Sequence, residues 1–243
     1  MPHIFFVPGY GTPATSTLPT DPYARLVRDT FGCENTTYVA VPNMHSGDIG
    51  NTSIQAVVRH VMRVLADAPE KLEDGYILCG HSMGGLVALL VAQALPSSDI
   101  PTMPTRLLLL NPLLLDRQPW YVRAAAPLLA QIPCPLPLPI AGAGDLYEDF
   151  PPLATPMRPR LAYTALVALG RIPVHGPGID LSQGLDDVSV DCVSSRGDRL
   201  CDPAGAKRLP DHATVHELDT TFHEPFALST FQDLIAHILT VRD

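Results

Sequence analysis

Gly80-His81-Ser82-Met83-Gly84-Gly85 sets a hydroxyl between small residues at G-x-S-x-G spacing. A serine hydroxyl is a poor nucleophile near neutral pH. It attacks a carbonyl only when the backbone presents it to a base and when the charge formed by attack is stabilised. The spacing does the presenting if it lies between a strand and a helix. The sharp turn then strains the serine backbone, and only small residues fit two positions before and after it. An apolar run at 76–79 precedes the motif and a second at 86–95 follows it. Ser82 is therefore the candidate nucleophile, with the N-terminus of the next helix aimed at the same spot. The same residues also read as a glycine-rich strand-to-helix turn in which Ser82 serves only as an N-cap. The partners distinguish the two.

A base must reach the hydroxyl, and an acid must hold that base in the right tautomer. For a serine at such a turn the acid and then the histidine follow along the chain. The histidine belongs in the loop after the last strand, where Thr221-Phe222-His223-Glu224-Pro225 supplies His223. The acid belongs just past the preceding strand, within Ser195-Arg196-Gly197-Asp198-Arg199-Leu200-Cys201-Asp202-Pro203. Asp198 lies in the turn directly off that strand. Asp202 fits better as an N-cap before Pro203. The other histidines read differently: His212, His216 and His237 as structural or surface residues, His81 as shaping the turn and bordering the substrate. His45 reads equally as lining the site or as plain surface. An oxyanion needs donors, and the backbone N–H of Met83 and that of Tyr10, in Pro8-Gly9-Tyr10-Gly11, are the candidates. Gly9 and Gly11 let the backbone approach a substrate closely. A phosphate-cradling loop is excluded because no G-x-x-x-x-G-K-[ST] or G-x-G-x-x-G is present.

Alternating strand and helix signals must position these groups. Strands are expected at 3–7, 37–41, 75–79, 106–110, 188–193 and 215–218, which implies a mostly parallel sheet covered on both faces. Helices are expected at 23–30, near 54–65, at 86–95, around 203–209 and from Pro225 onward. The second carries a capping box, Thr52 with Gln55, and apolar residues at helical spacing. The third is apolar on nearly every side and should be buried. Pro225 should hold the first position of the last helix. Between 112 and 180 the chain is rich in proline and carries the only tryptophan, Trp120. So long a structureless loop is improbable in one domain. It reads as a cap inserted into a core made of 1–111 and 181–243. An elaborate crossover without a binding role is the alternative.

The 243 residues suit one α/β domain, and 46% are hydrophobic against 17% charged. No apolar run reaches the roughly 18 residues of a membrane span. The formal charge of −9 argues against nucleic acid and anionic membrane as partners. The five cysteines show neither C-x-x-C pairs nor Cys/His metal spacing. With no basic n-region at the N-terminus, a reducing, cytoplasmic setting is expected.

Together the elbow serine, the aspartate after the post-cap strand and the histidine after the last strand resemble the α/β-hydrolase superfamily, over nearly the whole chain. The short length and the placement of the cap are similar to small carboxylesterases and monoacylglycerol lipases. The usual His-Gly after the first strand is replaced here by Pro8-Gly9. The resemblance implies about six core strands and a serine esterase using Ser82, Asp198 and His223 through an acyl-enzyme, with no metal or organic cofactor needed. It also implies a fairly hydrophobic small-molecule ester substrate, with Trp120 of the cap lining its pocket. Thioester, amide or lactone hydrolysis, acyl transfer and a non-catalytic ligand-binding role remain open, because a fold alone does not choose among them.

Overall fold

The four central strands carry apolar side chains on both faces, the pattern of a parallel sheet buried from both sides. The computed structural model describes residues 2–9, 22–32, 34–39, 41, 54–114, 180–198, 201 and 203–240. Along the chain run β1 (His3–Val7), α1 (Pro22–Phe31), β2 (Thr36–Tyr38), α2 (Ile54–Ala66), β3 (Tyr76–His81) and α3 (Met83–Ala94). β4 (Arg106–Leu110), β5 (Ser189–Ser195), β6 (Thr214–Leu218) and α4 (Ser229–Thr240) follow. The six strands form one sheet in the order β2-β1-β3-β4-β5-β6, with every pairing parallel. The order reverses between β1 and β3, which opens a crevice at their C-terminal ends, where open α/β sheets bind ligands.

Alternation along the strands divides the core in two. Phe5, Val7, Leu78, Leu107 and Leu109 pack under α2 and α3. Ile4, Phe6, Ile77, Leu108 and Leu110 face α1 and α4, meeting Val27, Phe31, Phe231 and Ile235. α3 is buried from Met83 through Ala92, which accounts for its lack of a polar face. Away from the C-terminal edge, Arg106 and Asp191 form a buried pair at 3.5 Å, and His216 Nε2 lies 2.7 Å from the other carboxylate oxygen. Arg106 also donates to the Ile238 carbonyl, tying α4 to the sheet.

Several boundaries differ from those read in the sequence. β3 continues through His81, and α3 starts at Met83, so a single residue separates strand from helix. The segment after Asp198 is a 3-10 helix, Pro203–Arg208. Pro225 does not open the last α-helix. It opens a 3-10 turn, Pro225–Ala227, and Leu228 is extended (φ −79°, ψ 129°), which breaks the path to α4. The proline preference for a first turn is satisfied by this short piece. Of the proposed cap only 112–114 and residue 180 fall among the described residues, and Thr52 of the capping box lies outside them. Among the described residues no helix is long and apolar enough to cross a membrane.

Candidate active site

Ser82 bridges β3 and α3 at φ 55°, ψ −122°. A non-glycine residue held there stores about 1–3 kcal/mol of backbone strain, so its surroundings must enforce it. The Ser82 N–H donates to the Leu110 carbonyl at 2.9 Å, and its own carbonyl accepts from Gly85 and Leu113. The glycines are required by contact. A Cβ on Gly80 would lie 2.3 Å from the Gly84 carbonyl oxygen, and one on Gly84 would lie 2.1 Å from that of Val7. Helix and strand thus touch backbone to backbone, which lifts the serine above the edge. Ser82 makes no side-chain capping bond to α3. Its position alone, at the open first turn that Met83 begins, leaves the hydroxyl for other work. Gly9, past the end of β1, lies against this turn: a Cβ there would meet Ser82 Cβ at 3.0 Å and His81 Nδ1 at 3.2 Å.

Loops after β5 and β6 bring Asp198 and His223 together. His223 Nδ1 lies 2.7 Å from Asp198 Oδ2, with side chains only 4% and 1% exposed. The other oxygen, Oδ1, accepts from the Cys201 N–H at 3.1 Å. Opposed to a carboxylate, Nδ1 carries the proton, which leaves Nε2 with its lone pair. The His223 carbonyl is held twice, by His81 Nε2–H at 2.9 Å and by Asn111 Nδ2–H at 2.8 Å. Burial, with His223 beside it, lowers His81 to about 3. Its ring is therefore neutral and serves as a fixed donor.

Two residues of this site were not singled out in the sequence. Asn111 is buried at φ 41° just past β4. It takes the Ser195 N–H on Oδ1 at 2.6 Å and donates to Ser195 Oγ at 3.0 Å. So it binds the end of β5 to the loop of His223. An Asn-Pro pair after a strand is its one local signal, since asparagine tolerates the left-handed region. Cys201 is buried, with Sγ 3.9 Å from Ser82 Oγ. Burial, and then the Asp198 charge, push its thiol well above the usual range, so it is a protonated and weakly reactive group. Among the described residues no hydrogen bond joins Ser82 Oγ to His223; the serine faces the thiol. Tyr10, Gly11, His45, Trp120 and Asp202 lie outside the described residues. His212 and His216 bond to the Val188 carbonyl and to Asp191, away from the serine.

A family model, alpha/beta hydrolase family, matches residues 4–234, which covers the sheet and every site residue above. The chain belongs to this family. As an alpha/beta hydrolase it has the fold of a hydrolase superfamily, and solved structures share it at low identity. A monoacylglycerol lipase from Paleococcus ferrophilus is 19% identical with a TM-score of 0.66, over 97% of this chain and 91% of that one. A pyrethroid hydrolase from Sphingobium faniae is 17% identical with a TM-score of 0.61, over 98% and 96%. The mouse alpha/beta hydrolase domain-containing protein 10 is 17% identical with a TM-score of 0.61, over 98% and 88%. No curated protein matches the chain by sequence.

Proposed function

We propose that this alpha/beta hydrolase is a serine esterase that cleaves carboxylic esters of a fairly hydrophobic small molecule. The observation that carries the reading is the buried 2.7 Å contact between His223 Nδ1 and Asp198 Oδ2. It joins two loops near a serine held in a strained turn. A side chain with one rotatable bond, Ser82 turns from Cys201 toward His223 Nε2 as substrate enters; catalytic hydrogen bonds commonly tighten at that stage. His223 takes the hydroxyl proton while Oγ attacks the acyl carbon. Asp198 keeps Nδ1 protonated and stabilises the imidazolium. The N–H groups of Met83 and Tyr10 receive the oxyanion. His223 then gives its proton to the departing alkoxide, and an acyl-Ser82 remains. Water, deprotonated by the same imidazole, attacks the acyl carbon; the acid leaves and Oγ recovers its proton. A monoacylglycerol lipase shares this fold, and an acyl ester is the substrate class that the assay below tests first. The low net polarity of the 112–180 insertion, with Trp120, supports an apolar pocket.

Hydrolysis of p-nitrophenyl esters of graded acyl length tests the reading. The wild type should hydrolyse at least one of them, and Ser82→Ala should lose roughly a thousandfold or more. A Ser82→Ala protein as active as wild type would overturn it. Best rates on short chains mark an esterase and on long chains a lipase. Inactivity toward every ester, in a protein whose serine still reacts, would move the assignment to amide, thioester or acyl-transfer chemistry.

A further inference from the structure

Asp198, Cys201 and His223 each offer one metal-binding atom, and these atoms lie within 4.8 Å of one another. Among the described residues no other group of three does so. We propose that these three side chains form a site for one thiophilic divalent cation, Zn²⁺ in particular, and that its occupation shuts the active site.

A thiol, an imidazole and a carboxylate make up a donor set that suits zinc, whereas magnesium and calcium prefer oxygen alone. Zinc bonds of ~2.0 Å to nitrogen or oxygen and ~2.3 Å to sulfur put neighbouring ligand atoms roughly 3.3–3.8 Å apart. With the widest separation at most 4.8 Å, the wider gaps need to close by about an ångström or less. His223 Nδ1 and Asp198 Oδ2, now 2.7 Å apart, need to open by about half an ångström or more as the metal replaces the proton between them; side-chain rotation supplies both. Burial helps, since the donors have little water to give up: Cys201 is 3% exposed and the Asp198 and His223 side chains less than 5%. The thiol proton leaves to solvent as the metal thiolate forms, and the imidazole proton moves from Nδ1 to Nε2 so that the Nδ1 lone pair can take the metal. Ser82 Oγ lies 3.9 Å from the sulfur, so a metal held by Cys201 would sit beside the proposed nucleophile. The local sequence hides the site, because its ligands come from two loops and the cysteine and histidine are 22 residues apart in number. Binding rests on this geometry alone. The shut-off also rests on the function proposed above, since metal on Nδ1 leaves the proton on Nε2, the atom that would otherwise accept the serine proton.

The test uses the full chain, stripped with chelator and titrated with Co²⁺ and then Zn²⁺. One Co²⁺ per chain should produce the near-ultraviolet thiolate charge-transfer band, and Zn²⁺ but not Mg²⁺ should bleach it. Cys201→Val should abolish the band and weaken Zn²⁺ by at least about a hundredfold, the upper end of what losing even an outer partner costs. Cys201→Ser, the smaller change, covers the case in which valine disturbs folding and should also lack the band. Absence of a band, or a band that survives in both variants, would overturn the site. In parallel, Zn²⁺ should slow fluorophosphonate labelling of the wild type by about tenfold or more. Unchanged labelling with the cobalt band fully developed would overturn the shut-off. A protein that never labels, with or without metal, would instead remove the hydrolase reading while the spectrum still decides the site.

Discussion

Replacing Asp198 with asparagine keeps shape and volume but reverses one hydrogen bond. The carboxylate now accepts twice, from His223 Nδ1–H on Oδ2 and from the Cys201 N–H on Oδ1. An amide has one acceptor and one donor end. The Cys201 N–H can only donate, so the amide oxygen must turn toward it, and the NH₂ group then faces His223 Nδ1. That ring nitrogen must accept, which moves the imidazole proton to Nε2, the atom that receives the serine proton in the reaction proposed above. The substitution therefore selects the wrong tautomer as well as removing a charge. The same change in a serine protease lowers kcat about 10⁴-fold, equivalent to about 5–6 kcal/mol of transition-state stabilisation. A loss of that order in kcat is expected here, with KM little altered. The assay is kcat and KM on the best p-nitrophenyl ester, normalised to correctly folded protein by thermal melting. A loss smaller than about tenfold, in a protein that melts like wild type, would refute the reasoning.

Three further outcomes follow from contacts already described. Asn111→Ala removes the partner of Ser195 and of the His223 carbonyl; it should destabilise by about 2–4 kcal/mol in urea unfolding and lower kcat. Asp191→Ala removes the carboxylate that Arg106 and His216 share in a buried position and should cost about 3–5 kcal/mol. The ester activity of molecules still folded should stay, because this pair sits away from the C-terminal edge. His81 is held near 3, below its ordinary 6.5. The unfolded chain thus binds the proton more tightly, and the stability due to the neutral ring is full above about pH 6.5 and drains away as pH falls toward about 3. Urea midpoints across that window should fall steeply for wild type and less so for His81→Gln; parallel slopes would contradict the assignment.

What could be read in the chain and what could not follows the range of the forces involved. Gly80, Ser82 and Gly84 are legible because strand, turn and helix meet within a few residues, and the steric demand on each glycine is local. Asp198 and His223 are legible because strand order places two particular loops beside the elbow. Asn111 and Cys201 carry no such mark. Asn111 acts on Ser195 and His223, 84 and 112 residues away, and Cys201 acts on Ser82, 119 residues away. Their roles exist only once β3, β4, β5 and β6 stand side by side. Pro225 shows the reverse case. The local preference was correct for a first turn, but the extended backbone at Leu228 ends that turn before α4 can begin.

The central claim is that Ser82 is the nucleophile, and covalent capture tests it most directly. The protein would be treated with a fluorophosphonate, digested, and the modified peptide sequenced by mass spectrometry. The account predicts a single phosphonyl adduct on the Ser82 hydroxyl, lost in Ser82→Ala and slowed in His223→Ala. Modification at another residue, or an unmodified wild-type protein that nonetheless hydrolyses esters, would contradict it.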